Sequence, residues 1–196
     1  GGGHGAVSNC SVSGTVTGNQ YVGGLIGQNN FFVVSGCSSS SSVTGMRGVG
    51  GLIGFNESTD VTSCTASGSI TVLASPNSSG SAGGLIGSHL GGQIASCSAT
   101  GPVTNNGTGG SAGGLIGGSS SGGSRILSCS ATGPVINQGG GNTGGLIGVN
   151  SSGEITSSTA TGPVTAMGSR LYVGGLIGSN LGKLTSCCAT GTVSAT

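Results

Sequence analysis

Chemistry in this chain would have to come from His4, His89, Glu57, Asp60, Glu154 and seven cysteines, since Lys and Arg together number only four. General acid–base catalysis needs titratable groups that converge on one point. The two histidines are far apart in the sequence, and Glu57 and Asp60 are the only close acids. They fall in Asn56-Glu-Ser-Thr-Asp60, a run that reads as a turn, so they are expected to be solvated turn charges. Glycoside cleavage asks for a carboxylate pair held at a fixed separation, and no second candidate pair exists. The chain is therefore read as not an enzyme. Calcium-binding repeats need an Asp in every Gly-Gly-x-Gly-x-Asp unit, and this chain has one Asp. Zinc needs two to four converging ligands, whereas these cysteines recur singly, far apart and not as Cys-x-x-Cys. No metal and no cofactor is expected.

The cysteines do have a period. Cys10, Cys37, Cys64, Cys97, Cys129 and Cys187 each open a seven-residue stretch, as in Cys97-Ser-Ala-Thr-Gly-Pro-Val103 and Cys129-Ser-Ala-Thr-Gly-Pro-Val135. Ser158 opens the remaining copy, Ser158-Thr-Ala-Thr-Gly-Pro-Val164. Cys, Ala, Gly and Val alternate with Ser, Thr and Pro, the period-2 pattern of a half-buried strand. A second anchor, Gly-Gly-Leu-Ile-Gly, begins at Gly23, Gly50, Gly83, Gly113, Gly144 and Gly174. A third apolar point precedes each Cys or its Ser158 stand-in: Val7, Val34, Val61, Ile94, Ile126, Ile155 and Leu184. Repeats of this length belong to architectures in which each unit buries its apolar face on the next.

These elements predict an all-β fold: a single parallel β-solenoid over residues 1–196, with about 30 residues and three short strands per coil. Parallel crossovers prefer a right-handed path, so that hand is expected. The Cys column should line the interior, either as free buried thiols acting as small apolar fillers or as adjacent-coil disulfides such as Cys10–Cys37. Leu25 and Ile26 cannot both face inward in strict alternation. Either one apolar column lies on the surface and supports lateral packing, or the flanking glycines turn both inward. Asn29, Asn56, Asn150 and Asn180 follow the pentapeptide at one spacing and suit left-handed turns or a side-chain amide ladder.

Composition agrees with a scaffold. Of 196 residues 47 are Gly and 4% are charged, with a formal net charge of +1. Four scattered cations make no basic face, so nucleic acid is not an expected partner. No run of 18 apolar residues occurs, so no membrane insertion is expected. The chain begins at Gly1 without an apolar leader and reads as a processed or excised segment.

Val173-Gly-Gly-Leu-Ile-Gly-Ser-Asn180 and Cys187-Cys-Ala-Thr-Gly-Thr-Val193 resemble the GLUG-motif family of bacterial surface proteins, and the resemblance extends over essentially the whole chain. It implies a secreted or cell-surface structural or adhesive β-solenoid without catalytic residues. Ser158, and Ser38 to Ser42, depart from the motif.

The outward face of the Cys strand is a Ser/Thr array that includes Ser13, Ser40, Ser67, Thr100, Thr132, Thr161 and Thr190. It could carry O-glycans, bind surface glycans or ice, or simply be an ordinary exposed sheet. Asn-x-Ser/Thr sequons that could carry N-glycans stand at Asn9, Asn56, Asn77, Asn106 and Asn150, where composition alone would supply about three. Corner lengths vary most between the Cys strand and the next pentapeptide, where a solenoid diversifies its contacts. The expected partner is the chain itself. No polar cap precedes Cys10 or follows Val193, so coils are expected to continue axially, in a longer protein or by head-to-tail stacking.

Overall fold

The chain winds into a parallel β-solenoid, described over residues 5–75, 79–120, 123–168 and 172–196 of a computed structural model. Each coil supplies one strand to each of five sheets. In one inner coil the strands are Gly92–Ala95 (sheet 1), Ser98–Ala99 (sheet 2), Val103–Asn105 (sheet 3), Ala112–Gly113 (sheet 4) and Ile116–Ser119 (sheet 5). Sheets 1, 2 and 3 have seven strands, and sheets 4 and 5 have six. Neighbouring strands are equivalent segments one coil apart, all parallel and in register, as in Ile94↔Ile126 and Val103↔Val135.

The expected three strands per coil are in fact five. Both anchors break at glycine. In the pentapeptide, Gly24 and Leu25 form a corner between sheets 4 and 5. In the Cys stretch, the Gly-Pro corner at Gly101 and Pro102 separates sheets 2 and 3. Proline costs nothing there, because the corner lies between ladders and its missing N–H is not needed.

The pentapeptide corner also decides where Leu and Ile point. The Leu85 carbonyl accepts both the Leu52 amide at 2.9 Å and the Ile53 amide at 3.1 Å, so the chain bends between the two residues. Leu52, Ile53, Leu85, Ile86, Leu115, Ile116, Leu146 and Ile147 are all fully buried. The exposed apolar column considered from the sequence does not exist, and lateral packing on it is excluded. Such a corner has no room for a side chain: a Cβ on Gly84 would collide with the Gly114 carbonyl oxygen.

Two cores result. One stacks the Cys, Ala, Leu and Ile rows, and the other packs Val43, Ile70, Val103 and Val135 against Val49, Ala82 and Ala112. Burying each Ile contributes about 1.5–3 kcal/mol. On the Cys stretch the expected register holds. Cys97, Ala99, Gly101 and Val103 are buried, and Thr100 and Pro102 are exposed.

Candidate functional site

Three side-chain columns run along the axis. The Cys column lies inside sheet 2 at the corner with sheet 1. Cys37, Cys64, Cys97 and Cys129 are buried, and Cys10 and Cys187 on the outer coils are half-buried. All seven cysteines are free thiols. Cys37, Cys64 and Cys97 each accept one backbone amide and face two backbone carbonyls. Cys97 Sγ accepts the Cys64 amide at 3.4 Å and donates to the Ala95 carbonyl at 3.2 Å. Cys64 Sγ likewise accepts the Cys37 amide at 3.4 Å and donates to the Thr62 carbonyl at 3.2 Å. Burial pushes the Cys37 thiol up. Hydrogen bonds to Cys129 and Cys64 hold Cys97 up as well, whereas the hydrogen bond from Cys97 brings Cys64 down. Neither buried thiol can reach an external substrate, so the column is structural.

The residue before each column member is Asn9, Gly36, Ser63, Ser96, Ser128, Ser157 or Ser186, and all seven have φ between 50° and 62°. This left-handed turn swings the chain from sheet 1 to sheet 2. Its sequence signal is plain, since only Asn, Gly and Ser occupy the position, yet it escaped the sequence reading.

The second column is an amide ladder inside sheet 5, where the Asn series sits in strands and not in left-handed turns. Asn29 Nδ2 donates to Asn56 Oδ1 at 2.8 Å, and Asn150 Nδ2 donates to Asn180 Oδ1 at 2.8 Å. His89 occupies the same register between Asn56 and Ser119. It is 1% exposed, and its Nδ1 lies 3.3 Å from Asn56 Nδ2. Nδ1 therefore accepts and Nε2 carries the proton, with no hydrogen-bond partner for Nε2. Burial pushes His89 down to about 4, opposed only partly by the Gly92 backbone and Asp60. A neutral, enclosed imidazole of this kind is a ladder member and not an available base. His4 lies outside the described residues.

The carboxylates do not converge. Glu154 lies on sheet 1, with Lys183 Nζ at 3.1 Å and Arg125 Nε at 3.9 Å. Asp60 Oδ1 accepts the Gln93 amide at 2.8 Å at a corner, and Glu57 ends a sheet 5 strand. Among the described residues no group of three or more His, Cys, Asp or Glu could hold a metal.

The third column is on the surface. Ser13, Ser40, Ser67, Thr100, Thr132, Thr161 and Thr190 are all exposed, and the neighbouring rows add Ser38 Oγ donating to Ser11 Oγ at 3.1 Å. Cys188 takes the place of a Ser or Thr in that neighbouring row and is exposed. Of the sequons, Asn56 and Asn150 are fully buried, with their amides spent on the Thr59 and Gly153 carbonyls, so neither can accept a glycan. Asn9 is exposed, Asn106 is half-buried, and Asn77 lies outside the described residues.

Comparison with known proteins agrees with this geometry. No curated protein sequence matches the chain. The crystal structure, at 1.30 Å, of a proposed immunoglobulin A1 protease from Bacteroides ovatus is similar over 100% of this chain and 68% of its own. The TM-score is 0.68 at 19% sequence identity, so the likeness is one of fold. The GLUG motif matches residues 18–44, 47–71 and 78–106. The matched segments are successive coils of the same parallel β-solenoid, so this chain carries GLUG motif repeats over residues 18–44, 47–71 and 78–106.

Proposed function

We propose that the chain is a non-catalytic, extracellular structural or adhesive solenoid, a segment or subunit of a surface stalk or filament whose coils continue end to end. The observation that carries this reading is the unbroken register of all five sheets from first coil to last. Rows buried in the inner coils open at the outermost ones. Leu184 and Val193 are 44% and 47% exposed, and Val7, Leu25 and Ile26 are half-buried. Parallel edges of this kind accept another coil from the same chain or from a second copy. A second copy stacked on sheets 1 to 3 would meet a one-strand step at sheets 4 and 5, because those sheets hold six strands and not seven. The likeness to a proposed immunoglobulin A1 protease supports an extracellular setting, because antibodies are secreted proteins. Proteolysis is not carried over with it, since His89 is enclosed in the amide ladder.

Electron microscopy with light scattering at rising concentration tests the reading. One solenoid is roughly 30 Å long at strand spacing, and end-on growth into longer rods is expected. A species that stays at single-solenoid length, with its terminal-strand amides protected from exchange, overturns axial continuation.

A second reading, glycan or ice binding by the Ser/Thr face, is favoured by the exposure of all seven residues of the Ser13 to Thr190 column. Thermal hysteresis and glycan-array binding by the monomer test it. Neither response would remove it.

A further inference from the structure

We propose that the corner pocket formed by Asn19, Gln20, Met46 and Arg47 binds the carboxylate of an acidic sugar, with the ring of that sugar set against the Tyr21–Phe55 pair. The site deepens the adhesive reading above by giving it a ligand class and a place, and it is separate from the Ser/Thr face.

The cavity measures about 230 Å³ and lies at the entry to sheet 4, on the side of the solenoid where corner length varies most. Its backbone is pinned, because the Asn19 carbonyl accepts both the Met46 amide at 3.0 Å and the Arg47 amide at 3.2 Å. The Asn19, Gln20 and Arg47 side chains on that corner are left for a ligand. Arg47 and Gln20 are exposed, and among the described residues no hydrogen bond or ion pair engages the side chain of Asn19, Gln20 or Arg47. A guanidinium fork with two neighbouring carboxamides is a donor set suited to a carboxylate and adjacent hydroxyls.

The aromatic pair supplies the second half of the site. Tyr21 has φ 50°, a left-handed conformation that a bulky side chain adopts only under constraint. The turn lays its ring over Gly48, next to Arg47, where a Cβ would sit 2.8 Å from the Tyr21 ring. Tyr21 and Phe55 are both half-buried, with ring centroids 4.9 Å apart and planes at 36°. The chain has five aromatic residues in all, and one of this tilted pair, Tyr21, directly follows Gln20 of the cavity lining and covers Gly48 beside Arg47. An apolar ring face next to convergent polar groups is the usual make-up of a small-ligand site. The volume is below the ~300–1,000 Å³ of a drug-sized pocket, which suits a single sugar ring at the end or side of a longer glycan.

Calorimetry and NMR titration with 3′-sialyllactose, lactose and a short polyglutamate peptide test the proposal. The expected result is weak, saturable binding of sialyllactose, with shifts at Gln20, Tyr21, Arg47 and Phe55, and little response to lactose. Arg47→Gln is expected to weaken binding about tenfold or more. Phe55→Ala should weaken it several-fold, and Arg125→Gln, on sheet 1, should leave it unchanged. Arg47 is exposed, so its variant is expected to keep the wild-type circular dichroism spectrum. No binding of sialyllactose, equal binding of lactose, equal binding of polyglutamate, or an unaffected Arg47→Gln variant each overturns the proposal. End-on growth measured on the same samples scores the axial reading separately, because Arg47 lies away from the outermost edges of sheets 1 to 3.

Discussion

The Cys129 amide donates to Ser158 Oγ at 3.1 Å, and that hydroxyl donates in turn to the Thr156 carbonyl at 3.0 Å. Ser158 thereby repeats with oxygen what Cys97 does with sulfur between the Cys64 amide and the Ala95 carbonyl. The column needs a short side chain that both accepts and donates, and the choice of thiol or hydroxyl is secondary. Cys97→Ser is therefore expected to cost no more than about 1 kcal/mol. Cys97→Ala should cost about 2–3 kcal/mol, because it strands the buried Cys64 amide. Urea unfolding of both variants checks the order. An alanine variant as stable as the serine variant would show that the sulfur contacts carry nothing.

Thiol access should divide the seven cysteines three ways. Cys188 is exposed, Cys10 and Cys187 are half-buried, and the other four are buried. Alkylation of the native protein without reductant should label Cys188 first and Cys10 and Cys187 more slowly, with the remaining four labelled only after denaturation. Mass spectrometry counts the labels. Fewer than seven after denaturation would mean that adjacent coils are cross-linked, the other option that the column spacing offers.

Much of this arrangement is legible in the sequence because strand alternation has a period of two and the repeats align without gaps. The buried row of Cys97, Ala99, Gly101 and Val103 follows directly from that alternation. Corners are harder to read. The Leu-Ile step was ambiguous because period-2 logic has no place for a bend at which one carbonyl, such as that of Leu85, serves two amides. His89 was hidden for a different reason. It stands two places after its pentapeptide, as the Asn residues do, but a different residue type set it apart, and the register Asn56↔His89↔Ser119 joins it to them. The Tyr21–Phe55 contact goes with a left-handed Tyr21, which residue type does not foretell.

His89 should make the fold acid-sensitive. Its folded pKa is lowered to about 4 from an ordinary 6.5, so between those values the unfolded chain binds the proton that the folded chain refuses. Stability is then fully present above pH 6.5 and falls as pH drops toward 4. The loss is about 3 kcal/mol by pH 4. His89→Asn should extend the amide ladder from Asn56 and remove most of this dependence. Urea midpoints at neutral and acid pH for the two proteins measure it, and equal pH slopes would exclude His89 as the cause.

The left-handed serines give the last test, and its sign differs with the substituent. Ser128 has φ 51° in the turn before Cys129, where the equivalent residues in the first two coils are Asn9 and Gly36. Serine carries a Cβ penalty there that asparagine offsets by its own preference for this region, while a β-branched side chain makes the clash worse. Ser128→Asn should raise stability by about 0.5 kcal/mol, and Ser128→Val should lower it by about 2 kcal/mol. Ser128 is exposed, so neither change disturbs the core. Thermal melts of the two variants separate backbone strain from packing. If valine and asparagine shifted the midpoint alike, the turn would not hold Ser128 in the left-handed region.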